Sequence, residues 1–349
     1  MVPALAVADA LRDRGAEVSF LGTRERAEAE LVPAAGYEVD FLRVRGLDRR
    51  NPIRAAGALA LAARAVPAAR RALRERGADV LLGGGGYVAG AGGLAAVSLG
   101  LPLVLTEADR HLGLTNRRLA RRARRVCLAF PIPGRDGERY VVTGRPVPAA
   151  IATADRGRAR ERFEIAAEDR CLLVFGGSQG ARSINLTALE AFVQSGDPQR
   201  PYHVLHITGH RDYEQARELL DAATGVSRYT LIAYEPGLAD ALAASDLVVA
   251  RAGGSIFEIA AASRPAILVP YPYASARHQH ANAQWMVEAG AAVVVEDSEL
   301  SGDVVRRLAG ELLADGPRLE RMGAASASLA RPEAAERVAS EVLAAAEHE

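Results

Sequence analysis

Short apolar runs alternate with amphipathic segments along almost the whole chain. The runs, bounded by Gly, Pro or polar residues, predict strands, and the segments between them have the apolar spacing of helices. The predicted strands are 17–21, 37–44, 79–82, 102–105, 171–175, 202–208, 229–232, 246–249, 266–269 and 291–295. The predicted helices are 3–14, 24–31, 53–75, 182–195, 211–221, 237–243, 256–263 and 278–288. This alternation favours parallel sheets covered by helices on both faces.

The elements form two series, which predict two domains. Residues 144–160 separate the series and form the expected linker. A chain of 349 residues is also long enough to divide into two cores. We expect a first domain at 1–150 and a second at 151–332, each an α/β domain with a doubly wound parallel sheet.

One segment, residues 80–106, has no charged residue and is long enough to cross a bilayer. It is rich in glycine and contains Pro102, which favours a strand, a glycine loop, a short helix at 94–99 and a second strand over a transmembrane helix. Pro67, within the predicted helix 53–75, is expected to kink or split that helix.

The composition is that of a soluble globular protein, with 49% hydrophobic and 25% charged residues. Cys127 and Cys171 lie at or near apolar runs and are expected to be buried thiols in a reducing compartment. The net charge is zero but uneven, because residues 1–150 hold 24 Arg and 15 acids, a net +9, and the remainder carries −9. The basic half favours an anionic partner, such as a phospholipid surface or a polyprenyl diphosphate. A solvated basic face without a partner is the alternative.

The most informative pattern lies where the predicted strand 246–249 runs into a glycine pair and then a helix. Gly253 and Gly254 precede a helix N-terminus, whose unpaired backbone N–H groups suit a phosphate. Ser255 is the expected N-cap of that helix. Glu258, in its first turn, can accept hydrogen bonds from ribose hydroxyls, as acids do in dinucleotide folds.

Two amides follow on the next predicted helix. Gln279 and Asn282 are three residues apart, so they share one helical face and can bind sugar hydroxyls. With the preceding glycine turn, they predict a site for a sugar nucleotide. His278 and His280 are two apart and diverge, so no metal site is expected there.

An earlier turn repeats the strand–glycine–helix arrangement. Gly176 and Gly177 follow the strand 171–175 and let the backbone approach a ligand, while Ser178 and Gln179 add donors where a diphosphate would lie. A tight connection without a ligand is the alternative for this turn alone. Two such turns in one domain favour the nucleotide site.

Together these segments resemble the MurG family of peptidoglycan glycosyltransferases. The matching segments are 21–33, 84–96, 113–116, 176–182, 258–262 and 278–282, and the resemblance runs from Pro3 to the last helix. It implies a GT-B fold, in which two Rossmann-like doubly wound parallel-sheet domains face an interdomain cleft. It also implies that the last helix, 333–348 within the segment 333–349, packs back on the first domain.

The resemblance implies an activity as well: transfer of GlcNAc from UDP-GlcNAc to lipid I, which is undecaprenyl-diphospho-MurNAc-pentapeptide, to give lipid II. No metal or other cofactor is expected, because helix N-termini can stabilise the diphosphate leaving group. By the same resemblance, Ser178 and Gln179 hold the diphosphate together with the turn 253–256, and Glu258 binds the ribose.

Further donor contacts are implied at four positions. The backbone at Glu235 would bind the uracil edge, and Gln279 and Asn282 would bind GlcNAc hydroxyls or nearby groups. The family's linker arginine is replaced here by Pro148, and Arg145 is the substitute that could approach the nucleotide.

The acceptor is implied to bind the first domain. Gly85, Gly86 and Tyr87 in the glycine segment, with Asn116, would line the diphosphate and sugar of lipid I. The family carries His-Glu-Gln-Asn where this chain has Thr-Glu-Ala-Asp at 106–109.

Two acids in that tetrapeptide are the candidate catalytic residues. Glu107 is retained from the family pattern, and Asp109 replaces an amide. Glu107 equally fits a structural carboxylate bound to neighbouring loop backbone.

The match begins within a family motif. Family members start with a strand and a Gly-Gly-Thr-Gly-Gly-His loop, whose His is proposed as the base, immediately before the helix that starts here at Val2. We therefore expect the natural start to lie upstream. A doubly wound sheet without its central first strand would expose strand edges.

Two basic segments suggest attachment to an anionic membrane surface, on the cytoplasmic face of the cell membrane. The first has Arg43, Arg45, Arg49, Arg50 and Arg54 around Leu47 and Ile53, and the second has six arginines within 117–125. Basic, partly apolar surfaces bind anionic leaflets reversibly.

Two other functions stay open. One is a different GT-B transferase that uses a UDP-sugar and a lipid acceptor such as diacylglycerol, although the Gly-Gly-Tyr-Val segment at 85–88 argues for lipid I. The other is a non-catalytic sugar-nucleotide-binding protein, because the family's base loop is absent. No nucleic-acid partner is expected.

Overall fold

The chain forms two compact units. The computed structural model describes residues 1–26, 28–44, 52–177, 180–195, 200–236, 238–274 and 278–347, those at 52–60, 62, 63 and 278 by their backbone alone. The first unit comprises Met1–Val147 and Arg331–Glu349, and the second comprises Pro148–Ala330.

The first unit contains parallel strands and the helices that connect them. Its strands are β1 (Ser19–Gly22), β2 (Glu38–Phe41), β3 (Leu81–Gly83), β4 (Leu103–Glu107), β5 (Arg125–Leu128) and β6 (Tyr140–Val142). Its N-terminal segment supplies helices α1 (Val2–Arg12), α2 (Glu28–Ala34), α3 (Pro52–Glu75), α4 (Gly86–Leu99) and α5 (Leu114–Leu119). Strands β1 and β2 pair in one sheet, and β3, β4, β5 and β6 follow one another in a second.

Helix α4 occupies most of the segment for which the sequence predicted a glycine loop. The prediction that helix begins only at residue 94 is wrong, because α4 begins at Gly86. A Cβ on Gly93 would lie 2.5 Å from Leu119 Cδ1, and one on Gly92 would lie 3.2 Å from Leu21 Cδ1. These glycines therefore serve close packing of α4 against α5 and β1, which outweighs their low helix propensity.

Helix α3 also differs from expectation. Pro67 lies inside it, and the helix runs unbroken from Pro52 to Glu75, so the proline does not split it. Within the described residues, no helix combines the length and apolar character needed to cross a bilayer.

The second unit is built on one six-stranded parallel sheet. Its strands are β7 (Arg170–Phe175), β8 (Tyr202–Ile207), β9 (Tyr229–Ile232), β10 (Leu247–Ala250), β11 (Ala266–Leu268) and β12 (Ala292–Val294), in the order β12-β11-β10-β7-β8-β9. Every residue of β8 and β10 is buried, as in a sheet covered on both faces. The order is that of a doubly wound Rossmann sheet, with its reversal between β7 and β10.

Helices surround this sheet. They are α6 (Ala150–Thr153), α7 (Arg156–Arg162), α8 (Arg182–Leu189), α9 (His210–Ala222), α10 (Ala239–Ala244), α11 (Ile256–Ala261), α12 (His278–Glu288), α13 (Gly302–Ala314) and α14 (Gly316–Leu329). A π-helical turn, Glu190–Gln194, extends α8. The predicted start of α10, residue 237, lies outside the described residues.

The last helix, α15 (Ala334–Ala346), belongs to the first unit. Val338 and Val342 join Val7 and Val104 in one buried cluster. Arg125 Nε donates to Glu341 Oε2 at 3.0 Å, so polar contacts accompany the apolar ones.

Asp246 joins the start of the second unit to its sheet. Its Oδ1 accepts from Arg156 at 2.7 Å and Arg170 at 3.3 Å, and its Oδ2 accepts from Arg160 at 3.0 Å and the Cys171 amide at 2.8 Å. Burial and the charge of Arg156 lower the pKa of Arg160, because few solvent contacts remain to stabilise its cation.

The arginines around Asp246 also bind the end of α10. Arg156, Arg160 and Arg264 donate to the carbonyls of residues 242–245. These carbonyls lie at the C-terminal end of α10, where a helix leaves acceptors unsatisfied. Cations at a helix C-terminus also interact favourably with its dipole. Helix α7 is thereby fixed to α10 and β10.

We predict that Asp246→Ala lowers the free energy of unfolding by about 3–5 kcal/mol, because it leaves the buried guanidinium group of Arg160 without its carboxylate. Urea denaturation followed by circular dichroism measures this loss. Asp221→Ala is the control, since its exposed carboxylate pairs with Arg217 one helical turn away, and a change below about 1 kcal/mol is expected. Equal losses in the two variants would contradict the prediction.

Candidate active site

Two glycine turns lie at the carboxyl ends of β7 and β10, where the strand order of the sheet reverses. The first turn, residues 176–181, connects β7 to α8, and the second turn, residues 251–255, connects β10 to α11. Ligands of open α/β sheets bind at such reversal points. Ser178 and Gln179, predicted in the first turn, lie outside the described residues.

The first turn requires glycine at two positions. A Cβ on Gly176 would lie 2.1 Å from the backbone N of Ala181. Gly180 has φ +70°, and a Cβ there would lie 2.3 Å from the carbonyl oxygen of Thr208. Gly180 is therefore packed directly against the backbone that follows β8, which only glycine permits.

The two predicted amides of α12 both reach the region of the second turn. Asn282 is buried, and its Nδ2 donates to the carbonyl of Ala252 at 3.1 Å. Gln279 Oε1 accepts from the backbone N of Tyr271 at 2.9 Å, while its Nε2 lies 3.7 Å from the Cβ position of Gly253. Gln279 thus presents donors to the turn, and Asn282 holds the turn's main chain.

Ser255 and Glu258 lie at the start of α11. Ser255 occupies the predicted N-cap position, but its side chain makes no capping hydrogen bond within the described chain. Its backbone is already helical, with φ −64° and ψ −12°, whereas a capping side chain needs an extended backbone. Glu258 lies in the first turn of α11 and is partly exposed.

Arg251 is a site residue that the sequence reasoning missed. Its guanidinium donates to Asp297 Oδ1 at 2.6 Å, to Ser183 Oγ at 2.6 Å and to the carbonyl of Val269 at 3.2 Å. Ser183 also donates to Asp297 at 3.0 Å. An arginine directly after an apolar strand, separated from a glycine pair by one alanine, was the available signal. The cluster ties the second turn to α8.

Glu235 is buried, and both of its carboxylate oxygens accept from Arg162 at 2.7 Å. Arg162 also donates to Asp240 at 2.6 Å. The hydrogen bonds from Arg162 to Glu235 and to Asp240 raise the pKa of its guanidinium, and the one to Glu235 has the largest effect. The side chain of Glu235 is therefore committed to structure, and its main chain is the part that can contact a base. Arg145 lies in the first unit, partly buried.

In the first unit, the predicted acceptor residues lie together. Gly85 is the N-cap of α4, which Gly86 and Tyr87 begin. The Asn116 side chain is buried beside Gly85, with its Nδ2 3.5 Å from the Cβ position of that glycine. Thr115 donates to the carbonyl of Gly86 at 3.0 Å, so α5 fixes the start of α4.

Glu107 closes the loop after β4. Its Oε2 accepts from the Gly113 amide at 2.8 Å and from Asn116 Nδ2 at 2.9 Å, and its Oε1 accepts from the Asp109 amide at 3.2 Å. These contacts favour the structural alternative for Glu107. The carboxylate of Asp109 receives no hydrogen bond from the described residues, and the residue is partly exposed.

No group of three or more His, Cys, Asp or Glu residues in the described part of the chain could hold a metal ion. His280 Nε2 lies 3.1 Å from Glu296 Oε2, and the two form a partly exposed pair.

Comparison with known sequences gives consistent matches. The model of the glycosyltransferase family 28 N-terminal domain matches residues 1–128, and that of the C-terminal domain matches residues 171–338. The UDP-N-acetylglucosamine--N-acetylmuramyl-(pentapeptide) pyrophosphoryl-undecaprenol N-acetylglucosamine transferase of Moorella thermoacetica is 40% identical, over 98% of this chain and 94% of the relative. The enzyme of the same name from Alkalilimnicola ehrlichii is 43% identical, over 97% and 93%.

Comparison with solved structures agrees. The crystal structure of Acinetobacter baumannii MurG superposes with a TM-score of 0.75 at 30% identity, over 98% of this chain and 95% of that one. A UDP-GlcNAc 2-epimerase from Neisseria meningitidis bound to UDP-GlcNAc gives a TM-score of 0.68 at 15% identity, over 98% and 96%, and shares the fold.

We predict that Gly180→Ala lowers the free energy of unfolding by about 3 kcal/mol or more, because it adds a clash with a main-chain carbonyl to an unfavourable φ. Gly225→Ala isolates the backbone effect, since Gly225 has φ +75° and nothing within 4 Å of its Cβ position. That control should lose about 1 kcal/mol. Urea denaturation compares the two, and similar losses would show that the close approach to Thr208 is unimportant.

Proposed function

The chain belongs to glycosyltransferase family 28, and from this premise we propose how its two units divide the substrates of the reaction. The protein is a UDP-GlcNAc-dependent N-acetylglucosaminyltransferase. It transfers GlcNAc from UDP-GlcNAc to lipid I and so gives lipid II in peptidoglycan synthesis. The observation that carries this function is about 40% identity to transferases of that activity over nearly the full chain.

The second unit binds the donor in this proposal. The first turn carries Ser178 and Gln179 between glycines that let a diphosphate approach the main chain. The second turn, with Gly253, Gly254 and Ser255, follows β10, which pairs with β7. Backbone N–H groups at such turns stabilise developing negative charge on the leaving diphosphate, which removes the need for a metal.

The nucleoside and sugar contacts follow from the same geometry. The carboxylate of Glu258 accepts hydrogen bonds from the ribose, and the main chain at Glu235 contacts the uracil while Arg162 holds its side chain. Gln279 donates to GlcNAc oxygens from its Nε2. Asn282 supports this site through its bond to Ala252.

The first unit binds lipid I in this proposal. The N-terminus of α4, at Gly85, Gly86 and Tyr87, presents backbone N–H groups to the acceptor diphosphate. Asn116 and Glu107 hold the loop beside it. We also propose that Arg145, which belongs to the first unit, contacts the nucleotide.

Catalysis needs a base for the acceptor hydroxyl. Asp109 fits that role better than Glu107, whose two oxygens already accept three hydrogen bonds. As the proton leaves, the MurNAc hydroxyl oxygen bonds to C1 of GlcNAc. The bond from C1 to the diphosphate oxygen breaks, and UDP departs with the electron pair.

We also propose peripheral attachment to an anionic membrane, on the cytoplasmic face, where the lipid acceptor is held. Of the first basic segment, Arg45–Arg50 lie outside the described residues, as do the side chains of Ile53 and Arg54. The second segment supports the proposal, because Arg117, Arg118, Arg121 and Arg122 are exposed beside Leu114, which is 40% exposed. Such a surface attracts anionic headgroups.

We predict that Glu258→Gln lowers kcat/KM for UDP-GlcNAc by about 10- to 100-fold, through the loss of charged hydrogen bonds to the ribose. Transfer of radiolabelled GlcNAc to a lipid I analogue measures it, with the KM for lipid I unchanged. Glu218→Gln, on the exposed face of α9, is the control and should match the wild-type protein. An unaltered KM for UDP-GlcNAc in Glu258→Gln would refute the ribose assignment.

We predict that replacing Arg117, Arg118, Arg121 and Arg122 together by Gln weakens binding to anionic vesicles at least about 100-fold, since each basic residue contributes about 1 kcal/mol near such a surface. Co-sedimentation with phosphatidylglycerol vesicles measures this, and phosphatidylcholine vesicles should bind neither protein. The matched control replaces four exposed arginines of the second unit: Arg217, Arg307, Arg318 and Arg321. Equal weakening of vesicle binding by the two sets of replacements would contradict a membrane-binding surface localised at residues 117–122.

A further inference from the structure

A chain of polar side chains lies buried behind the first turn, and no contact of the proposed donor site uses it. Tyr229 Oη lies 2.7 Å from His206 Nδ1, and His206 Nε2 lies 3.1 Å from Asn185 Oδ1. Asn185 Nδ2 then donates to Asp212 Oδ2 at 2.8 Å and to the carbonyl of Thr208 at 2.8 Å. The chain joins β9, β8, α8 and α9.

The partners fix the direction of every hydrogen bond. A carbonyl and a carboxylate only accept, so the Asn185 amide must turn its NH2 group toward Thr208 and Asp212 and its oxygen toward His206. His206 must therefore carry its proton on Nε2, which leaves Nδ1 as an acceptor. Tyr229 must then donate to Nδ1.

The charge states agree with this assignment. Burial lowers the pKa of His206 to about 3, so its ring is neutral at working pH. Burial alone would raise the pKa of Asp212, but hydrogen bonds from Arg211 and Asn185 and the charge of Arg182 outweigh it, so the carboxyl stays ionised. Burial also raises the pKa of Tyr229.

The chain ends at the main chain that supports the donor turns. The Thr208 carbonyl that accepts from Asn185 is the one against which Gly180 packs. Two residues later, the ring of His210 stacks on Tyr234, with centroids 5.4 Å apart, next to the main chain of Glu235. A displacement of Thr208 would therefore move the first turn and the segment at 234–235 together.

We propose that Asn185 and His206 are positioning residues of the donor site, which act through the Thr208 carbonyl to hold the first turn where the donor diphosphate binds. This inference rests on the proposed binding of UDP-GlcNAc to the second unit. His206 sets the orientation of the Asn185 amide, and Tyr229 sets that of His206. None of the three needs to touch the substrate.

A matched control lies on the same strand. His203 is also buried, and burial lowers its pKa to about 4. It lies three residues before His206, so it points to the opposite face of the sheet. Its Nε2 lies 2.8 Å from Thr230 Oγ1, which donates to the carbonyl of Phe163 at 3.1 Å, and this path reaches neither turn.

The experiment compares His206→Leu, His206→Gln and His203→Leu in the full chain. We expect His206→Leu to raise the KM for UDP-GlcNAc by at least about tenfold, with kcat and the KM for a lipid I analogue within about twofold of wild type. His206→Gln, which keeps one donor and one acceptor, should recover most of that loss. His203→Leu should lower stability toward urea but leave both KM values within about twofold.

An unchanged KM for UDP-GlcNAc in folded His206→Leu would overturn the proposal, as would an equal rise in His203→Leu. If His206→Leu does not fold, Tyr229→Phe tests the proposal instead, because it removes a single hydroxyl. It should raise the KM for UDP-GlcNAc about threefold or more. Calorimetric titration of the wild-type protein with UDP-GlcNAc distinguishes failure of the proposed donor site from failure of the proposed positioning role. No binding there would refute the proposed donor site itself, whereas binding that His206→Leu leaves intact refutes only the positioning role.

Discussion

A polar group on β8 or β10, in the sheet of the second unit, has no water to bind, because these two strands are buried along their whole length. Each such group must find a partner within the protein, since an unpaired buried polar group destabilises the fold by about 1–3 kcal/mol. This constraint explains why the unit's buried polar residues occur in connected groups. Asp246, Arg251 and Asn185 each bind several partners from separate elements.

These groups divide between the two ends of the sheet. The Asp246 group lies at the start of β10, where it fixes α7 and the end of α10. The Arg251 and Asn185 groups lie at the opposite ends of the strands, beside the glycine turns. The same physical requirement therefore gives stability at one end and a rigid frame for ligand contacts at the other, as parallel α/β sheets commonly show.

The period of apolar residues was sufficient to predict the parallel α/β class and every strand of the second unit to within a few residues. It failed where glycine can serve either of two structural roles. Gly92 and Gly93 suggested a loop, but they lie in a helix and permit its close packing. The spacing of Gln279 and Asn282 predicted that they share one helical face. It could not predict that Asn282 donates to the carbonyl of Ala252. Partners distant in sequence, such as Asn185 and His206, carry no local signal at all.

The return of α15 to the first unit makes the second unit an insertion within the chain of the first. The second unit is contiguous and complete at Ala330, whereas the first lacks Val338, Val342 and their neighbours until the final residues are added. The first unit therefore cannot be completed before the second is translated, although domains generally fold with the N-terminal one first during synthesis. The cluster that Val7 and Val104 form with α15 can therefore be completed only after the ribosome has translated the whole of the second unit.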